Sequence, residues 1–421
     1  VSFSARRMTW LIAALSSLGP FAIDTYLPAF AAIGESLNAT DVQMQFSLAA
    51  YMASYAFMNL WHGAVSDSLG RRPVVLFTLI LFSLASLGAA SSQSIEQLWF
   101  WRVMQGLVGG AGMVIGRAII RDVFDGGDAQ RQISKVMMIF SLAPVIAPIV
   151  GAWVFELAGW RAIFVFLAIY SLFVAVVLRL WMPETLPVEK RQSLQPTALM
   201  RGYREIFSMP EFWRTSLALS LLFQGFFLYI LSSPIFGRVH LGLEPTQFVW
   251  IFLPGVIGTI LGSAVSARIA GKLSGGMAIA AGFCVMAATA IGNLLLNWNG
   301  TIAMPWAVAH LACYNFGLGL AMAALQVRLL DLAPTRRGMI ASCHAGLQSA
   351  GIGLSAAFLI PLLWVSTRSL AIGMLSFVCL SLLLYGTRIR RVAAPPADSA
   401  ALPCDKSSAR STSTNKQVSM L

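Results

Sequence analysis

Asp24 and Arg102 are the residues of this chain best suited to do chemistry, because each stands inside a long apolar run. A charge near the centre of a bilayer costs at least about 2.5–3.5 kcal/mol, so a retained one points to function. Asp24 lies in Gly19-Pro20-Phe21-Ala22-Ile23-Asp24-Thr25-Tyr26-Leu27-Pro28. Each flanking proline removes a backbone donor and loosens the helix around the carboxyl. Burial and a nearby arginine act on a carboxyl in opposite directions, so a group held between them can take up and release a proton. A permanent Asp24–Arg102 structural pair is the alternative reading. Arg102, Gly106, Gly109 or Gly110, Met113 and Arg117 follow at steps of three and four, roughly one helix face. Small residues there admit a close neighbour. Arg117 either lines a central cavity or snorkels to the interface.

A second charged set is Gly63-Ala64-Val65-Ser66-Asp67-Ser68-Leu69-Gly70-Arg71-Arg72-Pro73, a short hairpin between two apolar runs. Arg71 and Arg72 also read as a topology signal, which Asp67 does not. If the two bundles meet on the cytoplasmic side, Asp67 is expected to face a later helix start near Arg337-Gly338-Met339, where exposed amides stabilise a carboxylate by about 0.3–1 kcal/mol. Pro144 and Pro148, four apart and close to Gly151, predict a kinked, closely packed helix, and proline is also a common generic kink in membranes. The four histidines are scattered singly and the five cysteines show no metal or disulfide spacing, so no metal is expected. No nucleophile or metal-hydrolase motif stands in a suitable context, which argues against an enzyme.

These residues must be held by membrane helices. Hydrophobic residues make up 57% of the 421 and charged residues 11%, too apolar a balance for one soluble core. Twelve runs are near spanning length: 10–33, 43–65, 74–91, 98–120, 133–158, 163–181, 212–236, 248–267, 277–298, 302–327, 339–365 and 369–387. Lipid cannot satisfy backbone polar groups and no barrel-like alternation occurs, so the runs are read as helices. The net charge of +12 sits mostly on one side if the spans alternate, with Arg71, Arg72, Arg121, Arg131, Arg204, Lys272 and Arg337 among its residues. That placement argues for a positive-inside protein with both termini cytoplasmic and no nucleic-acid partner. The first run is longer than a secretory leader and carries Asp24, so it reads as a retained helix. The hydrophilic stretch 183–211 divides the spans into bundles 1–182 and 212–388, and 389–421 reads as a disordered cytoplasmic tail. Ala64-Val65-Ser66-Asp67 has a counterpart in Ala264-Val265-Ser266-Ala267, a faint sign of duplicated halves in which the acid is not repeated.

The 63–73 hairpin resembles the loop between helices 2 and 3 of the major facilitator superfamily, and Leu98-x3-Arg102-x2-Gln105-Gly106 resembles that superfamily's second motif. Ala143-Pro144-Val145-Ile146-Ala147-Pro148-Ile149-Val150-Gly151-Ala152 resembles its antiporter motif, with Ala143 where the usual form has glycine. With Arg117-Ala118-Ile119-Ile120-Arg121-Asp122, Gly159-Trp160-Arg161-Ala162-Ile163-Phe164 and Pro183-Glu184-Thr185-Leu186, the set is similar to the Bcr/CflA group of bacterial drug:proton antiporters. The likeness is dense in the first half and thin in the second. It implies an all-α membrane protein of twelve helices in two six-helix bundles, working by alternating access as a monomer in the bacterial inner membrane. The implied function is export of small amphipathic drugs, such as phenicols or bicyclomycin, against protons and without a cofactor. A metabolite exporter or symporter on the same fold is the alternative. The resemblance implies proton coupling at Asp24 and Arg102, and a cytoplasmic gate of Gly63, Asp67, Gly70, Arg71, Arg72 and Asp122. It further implies an antiporter motif of Pro144, Pro148 and Gly151. Tyr26, Met113, Arg117, Phe226, Phe227, Tyr229 and Asn315 are the expected cavity residues, since aromatic and Met side chains suit dissimilar apolar drugs.

Overall fold

The computed structural model describes residues 5–392 apart from 125–131, 134, 137–138, 141, 192–194, 270–273, 299, 301–302 and 334–335. Arg131, Lys272 and the expected tail from 393 onward lie outside the described residues. The described residues form helices and no strands. Ten helical stretches are long and apolar enough to cross a membrane. Two further features of the described residues are compatible with the twelve runs read from sequence. Ala143–Trp181 is one such stretch but turns at Gly159 (φ 77°), a left-handed conformation that favours glycine, and so forms two rods. Asp41–Asn59 is of spanning length too, though its Gln, Ser and Tyr residues make it too polar to count among the ten.

We label the rods α1 (Ala5–Asp24), α2 (Asp41–Asn59), α3 (Arg71–Ala90) and α4 (Ile95–Gly109 with Ala111–Val123). Residues 143–158 form α5 and 160–181 form α6. The second half has α7 (Pro210–Leu231), α8 (Val249–Ile269), α9 (Gly275–Leu296), α10 (Trp306–Leu330), α11 (Arg337–Leu354) and α12 (Thr367–Val392). The first run was expected to be one helix over 10–33. It ends instead at Asp24 and resumes after a short turn over Leu27–Ala29. Pro28 cannot donate to a continuing ladder, and the Phe21 carbonyl accepts from both the Thr25 N–H (3.2 Å) and Thr25 Oγ1 (2.5 Å). The second run likewise stops at Asn59, and His62–Leu69 forms a separate short helix.

Glycines set how closely the first-half rods approach. A Cβ on Gly106 would meet the Tyr51 carbonyl oxygen of α2 at 2.3 Å, and one on Gly112 the Leu15 carbonyl oxygen of α1 at 2.2 Å. The α4 stripe is therefore the seat on which α1 and α2 rest.

Arg71, Arg72 and Arg121 mark one end of the molecule, called here the basic end. At the far end the two halves are joined. The Leu27–Ala29 turn packs on Pro245–Phe248 and on Ser233–Ile235, and Gln45 Nε2 of α2 donates to the Leu231 carbonyl of α7 (3.4 Å). α2 and α11 pack along their length, with Gly346 against Leu60 and Gly353 against Met52 and Ala53. An apolar groove of about 940 Å³ runs between them, lined by Phe46, Ala50, Phe57, Leu354 and Phe358 among others.

Candidate functional site

The break that ends α1 places Asp24 inside the first half, where the residue is only 5% exposed. The backbone beside it is held from two sides. Gly151 of α5 is packed so closely that a Cβ there would lie 1.9 Å from the Thr25 carbonyl oxygen. Arg102 of α4, fully buried, donates from Nη1 to the Ala22 carbonyl (2.8 Å) and to Gln105 Oε1 (2.9 Å). Gln105 Nε2 donates in turn to Ser86 Oγ of α3 (2.8 Å). The guanidinium carbon stands 4.7 Å from the Tyr26 ring centroid and 4.4 Å from that of Tyr51. A desolvated cation between two such faces gains about 2 kcal/mol.

Asp24 makes no ion pair with Arg102, and among the described residues it makes none at all. The permanent structural pair considered from sequence is absent. Arg102 is engaged by cation–π contacts and neutral hydrogen bonds, so the Asp24 carboxyl can change its protonation without first breaking a salt bridge. Arg102 Nε and Nη2 are buried without a hydrogen-bond partner in the protein. Tyr51, Gln105 and Ser86 complete this shell. Sequence reading missed Tyr51 as a functional residue; the polarity of α2, unusual for a spanning helix, is the signal that could have found it.

The expected cavity residues are not brought to one surface. Met113 and Arg117 face the same small hollow as Ile12 and Ser16 of α1, so Arg117 lines an internal space. Tyr26 is fully buried beneath Arg102, its hydroxyl 3.0 Å from Ser47 Oγ. Phe226 packs on Gly255 of α8, and Phe227 is half-buried and stacks on Phe223. Tyr229 accepts from Asn293 Nδ2 (2.7 Å) and faces His310. Asn315 Nδ2 donates to the Leu311 carbonyl (2.8 Å) within α10. Of the antiporter prolines, only Pro148 lies inside α5, while Pro144 falls in its first turn, where a missing N–H is tolerated. The expected double-proline kink is thus a helix start followed by one interior proline.

The expected gate residues do converge at the basic end. Arg71 pairs with Asp67 one turn before it and, through Nε, with Asp122 Oδ2 at the end of α4 (3.0 Å). Arg71 Nη1 also donates to Ser66 Oγ (2.7 Å), and Arg72 Nη2 to the Arg179 carbonyl (2.5 Å). Gly70 has φ 101° and leaves room that a side chain would fill, 2.7 Å from Glu184 Oε2. Gly63 sits opposite Val114. Glu184, quoted only as part of a motif in the sequence, accepts from the backbone N–H groups of Arg71 (3.0 Å), Arg72 (3.2 Å), Thr185 (3.0 Å) and Leu186 (3.0 Å). It caps α3 from 113 residues away. Glu184→Ala is expected to lower stability by about 1–2 kcal/mol, with Glu184→Gln nearer the wild type. Thermal unfolding in detergent checks this, and equal midpoints for wild type and Glu184→Ala would refute it.

Asp67 was expected to face the start of α11, and here the structure differs. Arg337 pairs with Asp331 (2.8 Å), and the linker helix Pro196–Phe207 covers that region. Its Glu205 pairs with Arg336, its Gly202 abuts Met339, and its Tyr203 hydroxyl donates to the Leu60 carbonyl at the end of α2. Burial, with Cys343 nearby, pushes the Tyr203 phenol up to about 12, so it remains a neutral donor at ordinary pH. The linker therefore bridges both halves at the basic end.

The model of the Major Facilitator Superfamily matches residues 9–356. A bicyclomycin resistance protein homolog from Haemophilus influenzae is 29% identical over 62% of this chain and 65% of its own length. The match thus spans just under two thirds of that relative. Multidrug resistance protein D of Escherichia coli is 27% identical over 82% of this chain and 86% of its own. In fold, the chain is similar to an inward-facing, unoccupied bacterial homolog of the human lysosomal transporter Spinster. That likeness has a TM-score of 0.70 at 17% identity, covering 94% of this chain and all of that one. A buried acid and arginine on adjacent broken helices, a charged hairpin tying α3 to α4 and α6, and a match across most of the chain agree: this is a multi-pass membrane protein of the Major Facilitator Superfamily.

Proposed function

We propose that this chain exports small amphipathic drugs, phenicols or bicyclomycin among them, in exchange for protons across the bacterial inner membrane. It acts as a monomer without a cofactor, with the basic end and both termini in the cytoplasm by the positive-inside rule. The names of the bicyclomycin and multidrug relatives support the substrate class. The observation that carries the mechanism is the buried Asp24 carboxyl, without an ion pair among the described residues, at the end of a helix that Arg102 holds through the Ala22 carbonyl. In this reading the joined far end closes the outer side, and Asp24 exchanges its proton with the cytoplasm while that end stays closed. Rocking of the two halves would open the far end, let Asp24 be protonated from outside and release drug there. The linker bridge and the Arg71 cluster bias which packing prevails.

Everted vesicles test this. With the lumen acidified, adding chloramphenicol is expected to release luminal protons, read as recovery of a quenched pH-gradient dye. Recovery driven only by a cellular metabolite would favour a metabolite exporter. No recovery with any drug, in vesicles whose cells also gain no drug resistance, would reject the proposal.

A further inference from the structure

Ser216, Ser220 and Gln224 recur every four residues on α7 and share one face. α7 and α11 run in the same direction from the basic end. Ser216 Oγ lies 2.8 Å from His344 Nδ1, and a Cβ on Gly351 would lie 3.0 Å from Gln224 Nε2. The two facing pairs keep nearly the same offset in sequence, so Ser220 lies level with Gln348. Ser220 is 5% exposed and its hydroxyl has no hydrogen-bond partner in the protein; the buried amide nitrogen of Gln348 has none either. Each orphaned polar atom in such a place costs about 1–3 kcal/mol, an expense that interhelical packing alone does not require. Serine and glutamine could both be replaced by apolar residues of similar size with a gain in stability.

The ladder carries no formal charge of its own beyond the titratable His344, which is engaged with Ser216. The nearest charged residues of these two helices stand at the basic end and are paired, Arg214 with Glu211 and Arg337 with Asp331. A charged ligand group would find no counter-charge on this face. An amide or hydroxyl of a neutral molecule would find a donor at Gln348 and a donor-acceptor at Ser220.

We propose that this α7–α11 face is an uncharged hydrogen-bonding subsite for the neutral polar groups of the exported compound, separate from the protonatable Asp24. The proposal rests on the export reading. It divides the work between halves: the first half carries the proton, and the second half recognises amide and hydroxyl groups.

Two readouts test it. Ser220→Ala and Gln348→Leu are expected to lower export of chloramphenicol, a neutral amide diol, by about tenfold, the equivalent of one buried hydrogen bond. Export of ethidium, an aromatic cation, should stay unchanged. Separately, Ser220→Cys is placed in protein whose five native cysteines are replaced, and reaction with a small water-soluble methanethiosulfonate reagent is followed. Labelling that chloramphenicol slows supports the subsite. Absent labelling, labelling that chloramphenicol leaves untouched, or equal loss of both compounds in the first readout overturns it. If wild type exports neither compound, the export reading falls, while protection of Ser220→Cys still decides the subsite.

Discussion

Asp24→Asn protein is expected to bind drug with near wild-type affinity and to lose nearly all of the drug gradient that protons sustain. Asparagine matches the shape of a protonated carboxyl, so the α1 break, the Gly151 contact and the Arg102 bond to Ala22 have no reason to move. Asp24 holds no ion pair, so its neutralisation leaves no orphaned partner charge. The loss is therefore one of coupling. One proton moving through 100 mV supplies about 2.3 kcal/mol, enough for a roughly fiftyfold gradient of a neutral drug, with any pH gradient additional. Without a titrating group at this position, that gradient falls toward unity. Drug accumulation in everted vesicles, together with direct binding to purified protein, separates the two effects. An equal gradient in wild type and Asp24→Asn would remove this residue from the mechanism. Loss of binding and of folding together would instead give Asp24 a structural role.

The elements that sequence reading placed well are those whose physics is local. Apolar run length located the rods, because a bilayer sets that length, and the Gly70 turn and Arg71–Asp122 pairing followed from a compact motif. Interruptions were harder to read. The end of α1 at Asp24 comes just before the Pro28 turn, and hydropathy is blind to a missing backbone donor. The cap on α3 was hidden because Glu184 reaches it across 113 residues. The cavity list fared worst. Aromatic and Met residues suit a drug-binding wall and a helix interface equally, and only coordinates show that Tyr229 meets Asn293 and His310 whereas Arg117 meets a hollow. Asp67 was expected to face α11 only where the two bundles meet at the basic end, and the amphipathic linker helix covers that site. An amphipathic stretch inside a polar segment was the available signal, and its buried face of Gly202, Tyr203 and Ile206 is legible in hindsight.

The placement of Gly151 ties the antiporter motif to the proton site, and it yields the second large effect. Gly151→Ala adds a methyl whose carbon would lie 1.9 Å from the Thr25 carbonyl oxygen and 2.6 Å from its carbon. Those atoms are backbone, so no side-chain rotation relieves the clash, and α5 must move off the α1 break. Overpacking of this kind costs about 1–3 kcal/mol, and the shift would carry Asp24 with it. Transport should fall with stability, and its pH dependence should change because the surroundings of the carboxyl change. Gly292→Ala is the matched control: it sits in α9 with nothing within 4 Å of the added carbon. Helix propensity alone then predicts a stabilisation of about 0.5–1 kcal/mol there. Opposite signs for the two substitutions in thermal unfolding, with transport lost only in Gly151→Ala, are the expected result. Stabilisation by both, with transport intact, would show that the close approach of α5 to Thr25 is not what holds the proton site in place.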